Sequence, residues 1–426
     1  MSIDASVARL VFLAALAVSL GLKLWLSRRQ IRNVAAHRDR VPEGFAGHVS
    51  VDEHQRAADY TVSRMRLGRA SAVLGTLLVL LWTLAGGINT IDGWWAVTGW
   101  PTLAAGTAVI LSVLFINALI ELPLAAYSTF GIEQRFGFNR MTVGTFVGDL
   151  AREAVLLLLL GGPLVFVALW LMGRAGNLWW FYLWLVWMGF TLVLTWAYPR
   201  FIAPLFNRFS PLENAELKER IEQLLTRCGF RSRGIFVMDG SRRSAHGNAY
   251  FTGVGSNKRI VFFDTLLDSL EPEQVEAVLA HELGHFRRHH ILKRLLLAAA
   301  TSLIGLAVLG WLTTRPWFYH GLGVNAISDH SAILLFLFAV PAFTFPLSPL
   351  TSALSRRHEF EADEFATRQS DGKALIAALV RLYRDNANTL TPDPVYSAFY
   401  DSHPPAPVRI GHLRRLIEKR PEHTTA

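Results

Sequence analysis

Five consecutive residues, His281-Glu282-Leu283-Gly284-His285, combine the groups that a hydrolytic metal site needs. On a helix, positions i and i+4 share one face, so His281 and His285 can hold a single Zn2+ between them. Glu282, next to the first imidazole, is placed to take a proton from a water that the metal acidifies. The flanking residues favour a helix. Pro272 suits a first turn, Val275, Val278 and Leu279 supply an apolar side, and the helix is expected to run on to about Ile291.

Two histidines do not complete a catalytic zinc site, which takes a third protein ligand and keeps a fourth position open. His289 lies one more i+4 step along, but three ligands on successive turns would stretch the site over about 12 Å. His289 and His290 are therefore read as interfacial or basic-loop residues. A third histidine ten positions after the first is also missing, because that position is Ile291. The single cysteine, Cys228, offers neither a disulfide nor a thiolate site and reads as a small buried hydrophobe. A carboxylate must come from elsewhere, and Ser355-Arg356-Arg357-His358-Glu359-Phe360-Glu361-Ala362-Asp363 supplies candidates. Glu359 and Asp363 are i, i+4 partners at the start of a second expected helix, so one can ligate while the other orients a ligating histidine.

The elements that bring these segments together are set by a membrane. Of the 426 residues, 52% are hydrophobic and 18% charged, the latter below the roughly 25% usual in soluble domains. Seven apolar runs are long enough to cross a bilayer: Val7–Leu26, Ala70–Ile91, Leu103–Leu122, Ala154–Met172, Leu178–Tyr198, Arg294–Leu312 and Ser331–Leu350. The first lacks a basic leading region and a small-residue cleavage site, so it reads as a retained span. Residues 28–69 carry nine Lys/Arg and residues 92–102 none, an alternation that puts the N-terminus outside and the hydrophilic segments 199–293 and 351–426 together on the cytoplasmic side. The net charge of +9 follows from the same bias, with no nucleic-acid signature beside it.

Four regions result: 1–198 with five spans, 199–293 with the His-Glu motif, 294–350 with spans six and seven, and 351–426 with the carboxylates. Within 199–293, residues 211–229 read as an amphipathic helix. Gly234–Met238 and Arg259–Phe263 read as short strands, the second preceded by a Gly-Ser-Asn-Lys turn at 255–258. Glu121, an ionisable group in the third apolar run, is expected either to face a cavity or to snorkel from the helix end. Pro341, Pro346 and Pro349 suggest a kink on the way to Glu359.

The arrangement resembles the type I CAAX prenyl endopeptidases, membrane-embedded zinc proteases of the gluzincin type. HELGH followed two spans later by S-R-R-x-E-F-x-A-D-x-F-A carries the likeness, which runs from about residue 50 to the C-terminus. Tyr127–Asn139, Ile202–Asn207, Ser244–Phe251 and Ser402–Arg409 are similar to further stretches of that family. The resemblance implies an all-α integral membrane fold, with seven helices in a barrel around a chamber and a small α+β metalloprotease domain. It implies His281, His285 and Glu359 as ligands of one Zn2+, Glu282 as general base and Asp363 behind a ligand. Asn248, Ala249 and Tyr250 would hold extended substrate against a strand edge, His403 would stabilise the oxyanion, and Arg409 would line the substrate site. The implied partners are the lipid bilayer and peptides or proteins with prenylated or otherwise membrane-associated C-termini, not nucleic acid. Taken as a prokaryotic homologue the chain belongs in the inner membrane; in a eukaryote, in the endoplasmic reticulum. Two other readings are a heat-shock-type membrane zinc protease, which has fewer spans, and a non-catalytic seven-span protein with a vestigial metal site.

Overall fold

The computed structural model describes residues 4–419 apart from 231, 233 and 253–258. Seven of its helices are long and apolar enough to cross a membrane: Ala5–Ala36, Val51–Trp82, Thr102–Glu133, Val143–Arg174, Gly176–Phe206, His290–Leu312 and Asp329–Gln369. Each packs against the next in sequence order, spans five and six included although the soluble segment separates them. The seventh returns to the first. The result is a closed ring. Its outer face presents Leu10, Leu159, Val193 and Ile304 for lipid to cover. Inside lies a cavity of about 260 Å³ lined in part by Ser19, Lys23, Thr76, Asn117 and Glu121. Ionisable side chains at membrane depth persist where they face such a space rather than lipid.

Hydropathy located the spans but not every helix end. The run Ala70–Ile91 is not one helix. The second span stops at Trp82, Gly86 takes a left-handed φ of 81°, and a short helix Gly87–Ala96 follows. A side chain at Gly87 would stand 2.7 Å from the Leu81 carbonyl oxygen, so this sharp turn has room only for glycine. The seventh span bends as its prolines suggest: Pro341 lies within Asp329–Thr344, a 3-10 turn covers Phe345–Leu347, and helix resumes at Ser348–Gln369. Glu359 therefore sits well inside this last helix, the ligand helix, and not at the start of a new one.

Between spans five and six the chain forms a four-stranded sheet. Strands β1 (Phe209–Pro211), β2 (Ile235–Met238), β3 (Ala249–Thr252) and β4 (Arg259–Phe263) lie in the order β1-β2-β4-β3. The β2–β4 pair is parallel and the two outer pairs are antiparallel. The expected turn at 255–258 lies outside the described residues. Ile221 and Leu224 of helix Ala215–Arg227, Ile260 and Phe262 of β4, and Val275, Leu279 and Leu283 share one core with Ala366, Leu375 and Leu413. Thus the segment before span six and the tail after span seven fold as a unit.

Candidate metal centre and peptide site

The motif helix, Pro272–Arg287, starts with Pro272 in its first turn and a reciprocal Glu271–Gln274 cap. It ends sooner than its composition suggests. His289 adopts φ 57°, and the next helix, which is the sixth span, starts at His290. The motif helix buries Val275, Leu279 and Leu283 in the soluble core and turns its histidines toward the ligand helix. Gly284 sets how close the two helices come. A Cβ there would be 2.9 Å from the Cα of Ala362 and 3.0 Å from its carbonyl oxygen.

This close approach assembles a triangle. His281 Nε2 and His285 Nε2 are 3.3 Å apart; His281 Nε2 lies 3.3 Å from Glu359 Oε2 and His285 Nε2 lies 3.3 Å from Glu359 Oε1. An ion bound tetrahedrally at about 2.0–2.1 Å would place its ligands about 3.3–3.4 Å from one another, so the two nitrogens and the Glu359 carboxylate are spaced to suit a zinc-sized ion. Glu359 is 1% exposed, and its Oε2 has no hydrogen-bond partner in the protein. Such an orphaned oxygen is costly unless a ligand satisfies it. Among the described residues, these three form the one group of His, Cys, Asp or Glu that could jointly hold a metal.

Behind His281, Asp363 accepts a 2.8 Å hydrogen bond from Nδ1, which leaves Nε2 free to ligate. Asp363 is fully buried and also accepts from Arg409 Nε at 2.8 Å and Nη2 at 2.6 Å. Burial and the Arg409 charge work against protonation of His281, but the bond to Asp363 and its charge outweigh them and raise the pKa to about 9. Arg409, expected to line the substrate site, is buried beside the ligands, with Nη1 3.8 Å from Glu359 Oε2 and its main contact on Asp363.

Glu282 lines a cavity of about 190 Å³ together with Tyr250, His285, Glu359 and His403. Its carboxylate makes no ion pair or side-chain hydrogen bond among the described residues, as suits a base that must meet water. His403 Nε2 reaches to 3.4 Å of Glu359 Oε1 from the loop at 401–405. Arg356, on the ligand helix, holds that loop by donating to the carbonyls of Ser397 at 3.2 Å and Asp401 at 2.9 Å.

Strand β3 forms one edge of the sheet. Phe263 N–H donates to the Asn248 carbonyl, so the antiparallel alternation turns the backbone groups of Ala249 away from β4, toward the open edge. Asn248 Oδ1 accepts the outward Ala249 N–H at 2.8 Å, while the Ala249 side chain packs on the soluble core. The stretch before β3 is pinned to the loop after span three. His246 stacks on Phe138 at 4.3 Å and contacts Glu133 at 3.4 Å and Asn386 at 3.1 Å.

Sequence reasoning misplaced one residue outright. His290 is 1% exposed, not interfacial, and its Nδ1 lies 3.0 Å from Nδ1 of the ligand His285. Arg356 and Glu361 were visible only as part of a charged run, and nothing in their spacing marked the contacts they make.

Residues able to hold a metal beside a strand edge that can accept extended peptide, on a chain with seven membrane helices, place the protein among multi-pass membrane metalloendopeptidases. Comparison with known proteins refines this. Residues 30–208 match the family model described as CAAX prenyl protease N-terminal, five membrane helices, and residues 211–417 match Peptidase family M48. A CAAX prenyl protease 1 homolog of Caenorhabditis elegans is 32% identical over 96% of this chain and 98% of its own length. The Homo sapiens homolog is 30% identical over 95% and 96%, respectively. The crystal structure of S. mikatae Ste24p superposes with a TM-score of 0.89 at 28% identity, covering 95% of this chain and 99% of that one. The chain belongs to the CAAX prenyl protease 1 branch of peptidase family M48.

Proposed function

We propose that the metal is one zinc ion held by His281, His285 and Glu359, and that the substrate is the prenylated C-terminal tail of a membrane-tethered protein. The observation that carries this reading is the convergence of the two imidazoles and the Glu359 carboxylate through 3.3 Å contacts, with a buried carboxylate oxygen that has no hydrogen-bond partner. When bound, zinc supplies a Lewis acid that polarises the scissile carbonyl and acidifies water. Glu282 takes the proton of the attacking water and passes it to the departing amide nitrogen. Asn248 and the outward backbone of Ala249 hold the peptide as an added strand, with Tyr250 against it. His403 donates toward the oxyanion from beside Glu359. Asp363 and Arg409 keep His281 aimed. The basic 28–69 segment supports a cytoplasmic site. The closed ring supports lipid as the surrounding solvent, so that a lipidated tail reaches the site without leaving the membrane.

The test is mass spectrometry of a synthetic peptide that ends in a farnesylated CAAX sequence, incubated with purified protein. The expected product lacks the last three residues. Glu282→Gln should slow its formation by about 10²- to 10⁴-fold with metal content unchanged. Undiminished cleavage by Glu282→Gln would refute the mechanism, and equal cleavage of the unprenylated peptide would refute the substrate.

A further inference from the structure

The two ligand histidines are supported differently. His281 Nδ1 meets the carboxylate of Asp363 directly, whereas His285 Nδ1 meets another imidazole, that of His290, at 3.0 Å. The far nitrogen of His290, Nε2, lies 3.0 Å from Glu361 Oε2. These contacts form one continuous line from the triangle to a carboxylate.

The backbone is built to make it. On an unbroken helix, five residues advance the side chain by about 500°, so His290 would point about 140° away from His285. The left-handed turn at His289 ends the motif helix and directs His290, the first residue of span six, back at the site. A non-glycine residue in that conformation is strained and persists where its surroundings demand it. His358 completes the seat. It is buried, and its ring stacks on His290 at 4.0 Å and 13°, fixing the plane of the imidazole. Glu361 is held in turn by Arg357 Nε at 3.2 Å and Lys293 Nζ at 3.9 Å.

The proton order along this line follows from the chemistry of the ends. With His285 Nε2 offering its lone pair to a metal, neutral His285 carries hydrogen on Nδ1 and donates it to Nδ1 of His290. His290 then carries hydrogen on Nε2 and donates it to Glu361, which can only accept. From the carboxylate inward, each tautomer is set by the next group. We infer that His290 and Glu361 are positioning residues for the metal: a histidine–carboxylate pair that fixes the tautomer and orientation of His285 as Asp363 does for His281. This inference rests on the reading of the triangle as a zinc site.

The experiment uses full-length protein in detergent and reads metal, not turnover. Zinc dissociation into excess chelator and the visible spectrum of the Co2+-substituted protein are measured for wild type, His290→Phe, His290→Asn, Glu361→Gln and the double variant His290→Phe/Glu361→Gln. Phe keeps the stack on His358 but accepts no hydrogen bond; Asn keeps an acceptor near the Nδ1 position. His290→Phe is expected to release zinc about 10- to 100-fold faster and to alter the cobalt bands. His290→Asn should recover part of that loss. Adding Glu361→Gln to His290→Phe should change little, because the line is already cut. Glu364→Gln, on the same helix as Glu361 but outside the line, breaks surface pairs with Arg288 and Arg368; it separates general loosening from loss of the line and should leave both readouts near wild type. A folded His290→Phe with wild-type zinc release and an unchanged cobalt spectrum overturns the inference. So does additive behaviour of the double variant. Should His290→Phe fail to fold, Glu361→Gln decides by the same two readouts. Wild type that binds no metal would instead overturn the zinc reading beneath it.

Discussion

Replacing Gly284 with Ala tests whether helix-to-helix distance controls the metal site. On propensity alone the change favours the helix by about 0.8–1 kcal/mol, since Gly is the poorer helix former. The packing argues the opposite. The new methyl would stand 2.9 Å from Ala362 Cα and 3.0 Å from its carbonyl oxygen, whereas ordinary contact begins at 3.4 Å. The ligand helix would have to recede by at least 3.4 − 2.9 = 0.5 Å, and backbone offers no rotamer that relieves the clash. Overpacking of this kind costs about 1–3 kcal/mol, which exceeds the propensity gain. The site is less tolerant than the fold. Metal–ligand distances are held to about ±0.2 Å, so a shift of 0.5 Å at Ala362, three residues from Glu359, opens the 3.3 Å contacts beyond their working range. Gly284→Ala should therefore remain folded but lose metal at least tenfold more readily. The assay is metal content after dialysis against a graded chelator series, with circular dichroism as the fold control. A Gly284→Ala protein that keeps one metal per chain at wild-type affinity would refute the reasoning.

Arg409→Ala should destabilise the fold by about 3–5 kcal/mol, because it strands the buried Asp363 charge, and thermal unfolding in detergent would measure it. Arg409→Lys should recover only part of that, since a single ammonium cannot reproduce the forked contact; full recovery would contradict the account. In the metal-free protein the His281 pKa lies at about 9, above its ordinary 6.5, so at pH 7.5 the ring is protonated and zinc must displace that proton. Calorimetry in buffers of different ionisation enthalpy should show proton release on zinc binding at pH 7.5 that fades above pH 9; no release at pH 7.5 would contradict it. Ala249→Pro removes the outward N–H of β3, which Asn248 Oδ1 must yield when peptide adds to the edge, and spares the ladder to β4, so peptide KM should rise by up to about tenfold, the worth of one hydrogen bond, with metal content unchanged.

Local signals were legible in the sequence wherever a single element defined them. The i, i+4 spacing of His281 and His285, the seven apolar runs and the charge asymmetry that puts the two hydrophilic segments on one side each depend on neighbours in the chain. Relations between elements were not. Nothing in the run from Pro272 to Ile291 marks His289 as left-handed, because every residue there tolerates a helix; the reversal is imposed by the contact His290 makes after folding. The role of Gly284 depends on Ala362, a residue of another helix that stands against it only in the fold. Arg409 matched a family stretch, but only the fold shows its burial beside the ligands, against Asp363. The break at Gly86 was hidden for a different reason, since hydropathy measures what a segment dissolves in and not whether its helix continues.

The central claim is that His281, His285 and Glu359 hold one catalytic metal across the junction of two helices. The most direct measurement is the metal content of purified full-length protein, wild type beside Glu359→Gln, by inductively coupled plasma mass spectrometry with a fold check on both. The account predicts close to one zinc per chain in wild type and far below one in Glu359→Gln. Metal-free wild type, or a Glu359→Gln protein that still holds one zinc per chain, would contradict it.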